Sequence, residues 1–97
     1  MVILGSTGSI GVNTLQITSR FDIQIEALVA GNNISLLNEQ IRLYKPKFVG
    51  IKEKAKKHLV NHKNIFCGEE EILDMLSLCR SETVVNALVG YAGLAPT

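Results

Sequence analysis

The chemistry-bearing residues of this chain crowd its first eleven positions, in the stretch GSTGSIG. Gly5, Gly8 and Gly11 stand three residues apart, with Ser6, Thr7 and Ser9 between them. An apolar run, Val2 to Leu4, comes directly before, and a helix-like pattern follows. A glycine turn between a strand and a helix can hold a phosphate. The N–H groups at a helix start lack intrahelical acceptors and carry partial positive charge. The usual dinucleotide fingerprint is G-x-G-x-x-G; here one more residue separates the first two glycines. The three roles survive that insertion. Gly5 turns the strand sharply, Gly8 admits a pyrophosphate to the backbone, and Gly11 lets the helix lie close to the strand. The hydroxyls of Ser6, Thr7 and Ser9 can donate to phosphate oxygens, beside the backbone N–H groups of Ser9 and Ile10. The plainer alternative is a turn that only packs a strand against a helix. No Gly-Lys-Ser/Thr follows, so nothing points to ATP hydrolysis.

Which nucleotide fits is read at the end of the second strand, Leu28-Val29-Ala30-Gly31-Asn32-Asn33. NAD-preferring domains place a carboxylate there for the ribose hydroxyls. Glu26 is the only nearby acid, and it stands four residues before Ala30. An end without a carboxylate spares a 2′-phosphate from repulsion, Gly31 leaves room, and the Asn32 and Asn33 amides can donate. The site therefore favours NADP(H) over NAD(H), without the Arg or Lys that would make the preference strict.

These residues need a frame, and the hydrophobic pattern supplies one. Val2–Leu4 reads as a strand and Ser9 to Arg20 as a helix, with Ile10, Ile17 and Phe21 near one face. Ile23 to Ala30 is a second strand. Ile34, Leu37, Ile41 and Tyr44 recur as on an amphipathic helix, capped by Asn33 and stopped by Pro46. Lys47–Ile51 is a third strand, and Lys52 to His62 a third, mostly solvated helix. Asn64–Cys67 is a fourth strand. Glu69, Glu70 and Glu71 favour the positive end of a fourth helix, whose buried stripe is Ile72, Leu76 and Cys79. Thr83–Val89 is a fifth strand. Strand–helix alternation with short links predicts right-handed βαβ crossovers and a parallel sheet with helices on both sides, a doubly wound α/β fold. The apolar second and fifth strands predict burial on both faces. YAGLAPT opens as a further helix would, so the chain reads as the front piece of a longer protein.

At 97 residues the chain is one domain at most. Its net charge of +1, with both signs spread along the chain, argues against a nucleic-acid or anionic-membrane surface. No apolar run approaches the roughly 20 residues that cross a bilayer, and no signal peptide is visible. Cys67 and Cys79 form no metal-ligand pattern and are expected as reduced thiols in or near the core, in a cytoplasmic protein. His58 and His62, four apart but without a third ligand, and the run KEKAKKH both read as solvated surface. Asn86 inside an apolar strand is either a ligand contact or a paired polar group near the sheet's end.

At GSTGSIG, ALVAGNNISLLNEQI and VVNALVGYAGL, the chain resembles the N-terminal, Rossmann-like NADPH-binding domain of the 1-deoxy-D-xylulose 5-phosphate reductoisomerase family. The resemblance covers residues 1–97. It implies a parent enzyme that rearranges 1-deoxy-D-xylulose 5-phosphate and reduces the product with NADPH to 2-C-methyl-D-erythritol 4-phosphate, on a route to isoprenoids. It further implies Mg²⁺ or Mn²⁺ in the full-length homodimer. Carried onto matching positions, the NADPH contacts fall on Thr7, Gly8, Ser9 and Ile10, and on Gly31, Asn32 and Asn33 where the 2′-phosphate would lie. Ala87, Leu88 and Val89 match a segment running toward the nicotinamide. Family members often carry a basic residue where this chain has Asn32. The family's metal-binding acids, substrate-phosphate site and dimer surface lie beyond residue 97, so this piece alone is expected to bind cofactor but neither metal nor substrate, and to be inactive. Two alternatives stay open: the cofactor domain of another NADP-dependent dehydrogenase or reductase, and a non-catalytic nucleotide-binding module.

Overall fold

A computed structural model describes residues 1–31, 33–80 and 83–87. Its strands are β1 (Val2–Leu4), β2 (Ala27–Ala30), β3 (Phe48–Ile51), β4 (Ile65–Cys67) and β5 (Val84–Asn86). Its helices are α1 (Ser9–Arg20), α2 (Ile34–Tyr44) and α3 (Gly68–Leu78), with a 3₁₀ helix at Lys54–Leu59. The strands form one sheet in the order β4-β3-β2-β1-β5, and every pairing is parallel. The predicted doubly wound α/β architecture is the observed one.

Strand alternation sorts the core into two layers. Ile3, Leu28, Ala30, Val49 and Ile51 point to the side of α1 and α2, where they meet Leu15, Ile34, Leu37 and Ile41. Val2, Ala27 and Val29 point to the other side and pack with Met75 of α3. Gly50 makes room for that second layer. A Cβ there would stand 3.0 Å from Val29 Cγ2 and 3.1 Å from Ile72 Cγ1. Phe48 and Phe66 close the layer edge to face, with centroids 5.8 Å apart.

Local signals set the ends of α2 as predicted. The Asn33 Oδ1 accepts the Leu36 N–H at 3.2 Å, a cap worth about 1 kcal/mol. Lys45 takes a left-handed conformation, φ 50°, and ends the helix just before Pro46. Elsewhere the structure departs from expectation. Ile10 and Ile17 on α1 and Phe21 at its C-cap are exposed at 51%, 53% and 71%, and the buried positions are Gly11, Leu15 and Thr18. Small residues let that face approach the sheet, and size-weighted hydrophobicity overlooks them. The third helix is only the six-residue 3₁₀ helix with no buried residue; its lysines offer little apolar surface to dock, and Val60 beyond it makes the anchor. On α3 the fully buried residue is Met75, with Ile72, Leu76 and Cys79 packed partly buried beside it.

β2 is buried along its whole length, as its composition predicts. β5 is not: it lies at an edge of the sheet, and Val84 is half exposed. Its predicted continuation through Leu88 and Val89 lies outside the described residues. Cys67 and Cys79 are free thiols. Burial pushes both thiols up, helped by Glu71 at Cys67 and by Glu26 at Cys79. Among the described residues no helix is long and apolar enough to cross a membrane.

His62 has a structural occupation. Its Nδ1 accepts the Asn64 N–H at 2.9 Å, which leaves Nε2 to donate to the Pro46 carbonyl at 2.8 Å. His58 is exposed, and no group of three His, Cys, Asp or Glu side chains converges among the described residues.

Candidate functional site

Chain order reverses beside β1. The first four strands step outward in one direction, and the fifth returns to the far side of β1. In an open parallel sheet, such a reversal leaves a crevice outside the carboxyl ends of the strands. The glycine turn lies at that place. Register aligns Leu4 with Val29 and with Asn86, so the turn emerges between Gly31 on one side and Ala87 on the other. Ala87 N–H donates to the Leu4 carbonyl at 2.8 Å, which ties β5 to the base of the turn.

The three glycines differ in what requires them. Gly5 has φ +87°, a conformation that L side chains rarely adopt. Gly11 faces the turn so closely that a Cβ would stand 2.1 Å from the Gly5 carbonyl oxygen. Both are demanded by the fold. Gly8 is demanded by neither effect: its φ is −80°, and among the described residues a Cβ would meet only the Gly5 carbonyl oxygen, at an ordinary 3.6 Å. Gly8, Ser9 and Ile10 are exposed, and Thr7 is half-buried.

Gly8 is the N-cap of α1, and no side chain caps the helix. Its carbonyl accepts from Val12 N–H at 2.9 Å, so the N–H groups of the first turn lack an intrahelical acceptor. That turn carries no acidic residue. A helix start with free donors, no competing carboxylate and an uncovered backbone is suited to an anion.

The end of β2 is similarly open. Among the described residues a Cβ at Gly31 would meet nothing within 4 Å. Asn33 gives its Oδ1 to the α2 cap, which leaves its Nδ2 donors for a ligand. Asn32 lies outside the described residues. Glu26 sits before β2, at the amino end of the strand, where its two carboxylate oxygens accept the Arg80 N–H at 3.0 and 2.9 Å. No carboxylate from β2 therefore reaches the crevice. On the α3 side of the same edge runs a groove of about 560 Å³, lined mainly by Leu4, Val29, Ala30, Ile72, Leu73 and Leu76. Of the expected contacts, the structure brings Thr7, Gly8, Ser9, Ile10, Gly31 and Asn33 to one edge of the sheet.

One residue at the turn went unnoticed in the sequence. Gln40, on the buried face of α2, donates from Nε2 to the Ser6 carbonyl at 2.7 Å. Its only sequence signal is a polar residue adjoining Ile41 in an apolar stripe, which periodicity alone reads as a flank.

Comparison with known proteins agrees with this architecture. A family model described as 1-deoxy-D-xylulose 5-phosphate reductoisomerase matches residues 1–97. A relative of that description from Campylobacter lari is 62% identical over 94 residues, covering 97% of this chain and 26% of its own length. Another from Nautilia profundicola is 56% identical over 97 residues, covering 100% of this chain and 26% of its own length. A third, from Campylobacter hominis, is 54% identical over 97 residues, with 100% and 27% covered. The chain spans about a quarter of the length of these curated relatives. By this match along its whole length, the chain belongs to the 1-deoxy-D-xylulose 5-phosphate reductoisomerase family.

Proposed function

We propose that residues 1–97 form the NADPH-binding part of an enzyme that converts 1-deoxy-D-xylulose 5-phosphate to 2-C-methyl-D-erythritol 4-phosphate in isoprenoid biosynthesis. The observation that carries the cofactor reading is the contrast among the glycines. Two are required by the fold, whereas Gly8 leaves open a backbone that nothing in the described protein fills. A pyrophosphate at that opening would take the N–H groups of Ser9 and Ile10 and the Thr7 and Ser9 hydroxyls. Gly31, Asn32 and Asn33 would hold the 2′-phosphate through amide and backbone donors. Ala87, and Leu88 and Val89 beyond it, would continue toward the nicotinamide. When bound, the cofactor supplies the hydride; this chain's residues bind it, orient it and select its phosphate.

Among the described residues no three His, Cys, Asp or Glu side chains converge. We assign Mg²⁺ or Mn²⁺, the sugar-phosphate substrate and the homodimer contacts to the remaining three-quarters of a cytoplasmic full-length protein. The piece alone is then inactive.

Calorimetric titration tests the cofactor reading. NADPH is expected to bind, and more tightly than NADH. Asn32→Arg adds a charge-assisted contact to the 2′-phosphate, so the NADPH-over-NADH preference is expected to rise on the order of tenfold. An unchanged ratio would move the 2′-phosphate away from the end of β2.

A further inference from the structure

We infer that Gln40 is a positioning residue for the phosphate turn, aiming the Thr7 N–H at the ligand; this rests on the NADPH reading above. The turn is held from inside by four hydrogen bonds among the described residues. Gly5 and Ser6 N–H both donate to the Val29 carbonyl, at 2.6 and 3.0 Å, and Gly8 N–H donates to the Gly5 carbonyl at 3.2 Å. The fourth comes from a side chain 34 residues away, the Gln40 Nε2 donating to the Ser6 carbonyl at 2.7 Å.

That fourth bond fixes a peptide plane. Across a trans peptide the carbonyl and the following N–H point in opposite directions, and the described chain has no cis bond. With the Ser6 oxygen drawn toward α2, the Thr7 N–H faces away from α2. Freed of that bond, the Ser6–Thr7 plane could rotate and turn a carbonyl oxygen toward the phosphate instead. One such rotation replaces an attraction by a repulsion.

Packing alone gives little reason for an amide here. Gln40 is 4% exposed, and Ser6 is fully buried. Among the described residues the Gln40 Oε1 and the Ser6 Oγ have no hydrogen-bond partner, and a buried polar atom left unpaired is destabilising. An apolar side chain of the same length would remove the unpaired Oε1 but leave the buried Ser6 carbonyl without the donor it has now. What the glutamine adds is the bond to the turn.

The test uses the full-length protein with Gln40→Met and Gln40→Leu, titrated with NADPH and with adenosine 2′-monophosphate, which lacks the diphosphate. The inference expects NADPH affinity to fall about tenfold while affinity for the monophosphate stays within about twofold. The melting temperature should fall by no more than a few degrees, because loss of the donor to the Ser6 carbonyl is offset in part by removal of the unpaired Oε1. Unchanged NADPH affinity would overturn the positioning role, as would equal weakening of both ligands or loss of the fold in both variants. A parent protein that binds no NADPH would instead overturn the cofactor reading, which separates the two failures.

Discussion

Gly8→Val is expected to abolish NADPH binding and leave the fold standing. A Cβ at Gly8 meets nothing closer than 3.6 Å among the described residues, so the new side chain has room beside them. That room is the space a diphosphate needs to reach the Ser9 and Ile10 N–H groups. Bonds from backbone donors to a charged oxygen contribute about 1.5–3 kcal/mol each. Losing two of them corresponds to a hundredfold or greater loss of affinity, on the order of 3 kcal/mol. Stability should fall only by about 1 kcal/mol, since valine is a poor helix cap and glycine a fair one. Calorimetry and thermal unfolding on the same sample check both halves. If the variant binds NADPH as the parent does, the diphosphate does not occupy the turn.

What was legible beforehand follows from which forces act locally. The ends of α1 and α2 could be read because glycines, Asn33 and Pro46 act within a few residues of themselves. β2 could be read because burial on both faces leaves a continuous apolar run. The contact between α1 and the sheet was not legible: it is made by Gly11 and Thr18 around Leu15, and closeness of approach is not encoded in hydropathy. Met75 was missed for a related reason, since the helix rotates by the packing of Ile72 over Gly50 and not by its apolar average. The six lysine-rich residues of the 3₁₀ helix had too little apolar surface for any period to decide their form. At the site, the loop's backbone role could be inferred from glycine spacing, whereas Gln40 reaches it across 34 residues. Long-range side-chain bonds leave no mark in local sequence.

Gly11→Ala should give the opposite outcome to Gly8→Val, and the sign is the informative part. Helix propensity alone favours alanine over glycine by about 1 kcal/mol inside a helix, so a free-standing α1 would gain stability. In the folded chain the new Cβ would stand 2.1 Å from the Gly5 carbonyl oxygen, 2.7 Å from Ser6 Cα and 2.9 Å from the Gly5 carbonyl carbon. All three are backbone atoms, so no rotamer change relieves the clash. Relief requires α1 to lift from the turn, which would expose Leu15 and Thr18, now almost fully buried. Overpacking of this kind costs about 1–3 kcal/mol or more, and the lost burial of Leu15 adds up to about 2. A net destabilisation of about 3 kcal/mol is expected in urea unfolding, with NADPH affinity lost alongside because the same turn is displaced. A neutral or stabilising Gly11→Ala would mean that α1 does not press on the turn. The reason for reading Gly8, and not its two neighbours, as the opening made for a ligand would then disappear.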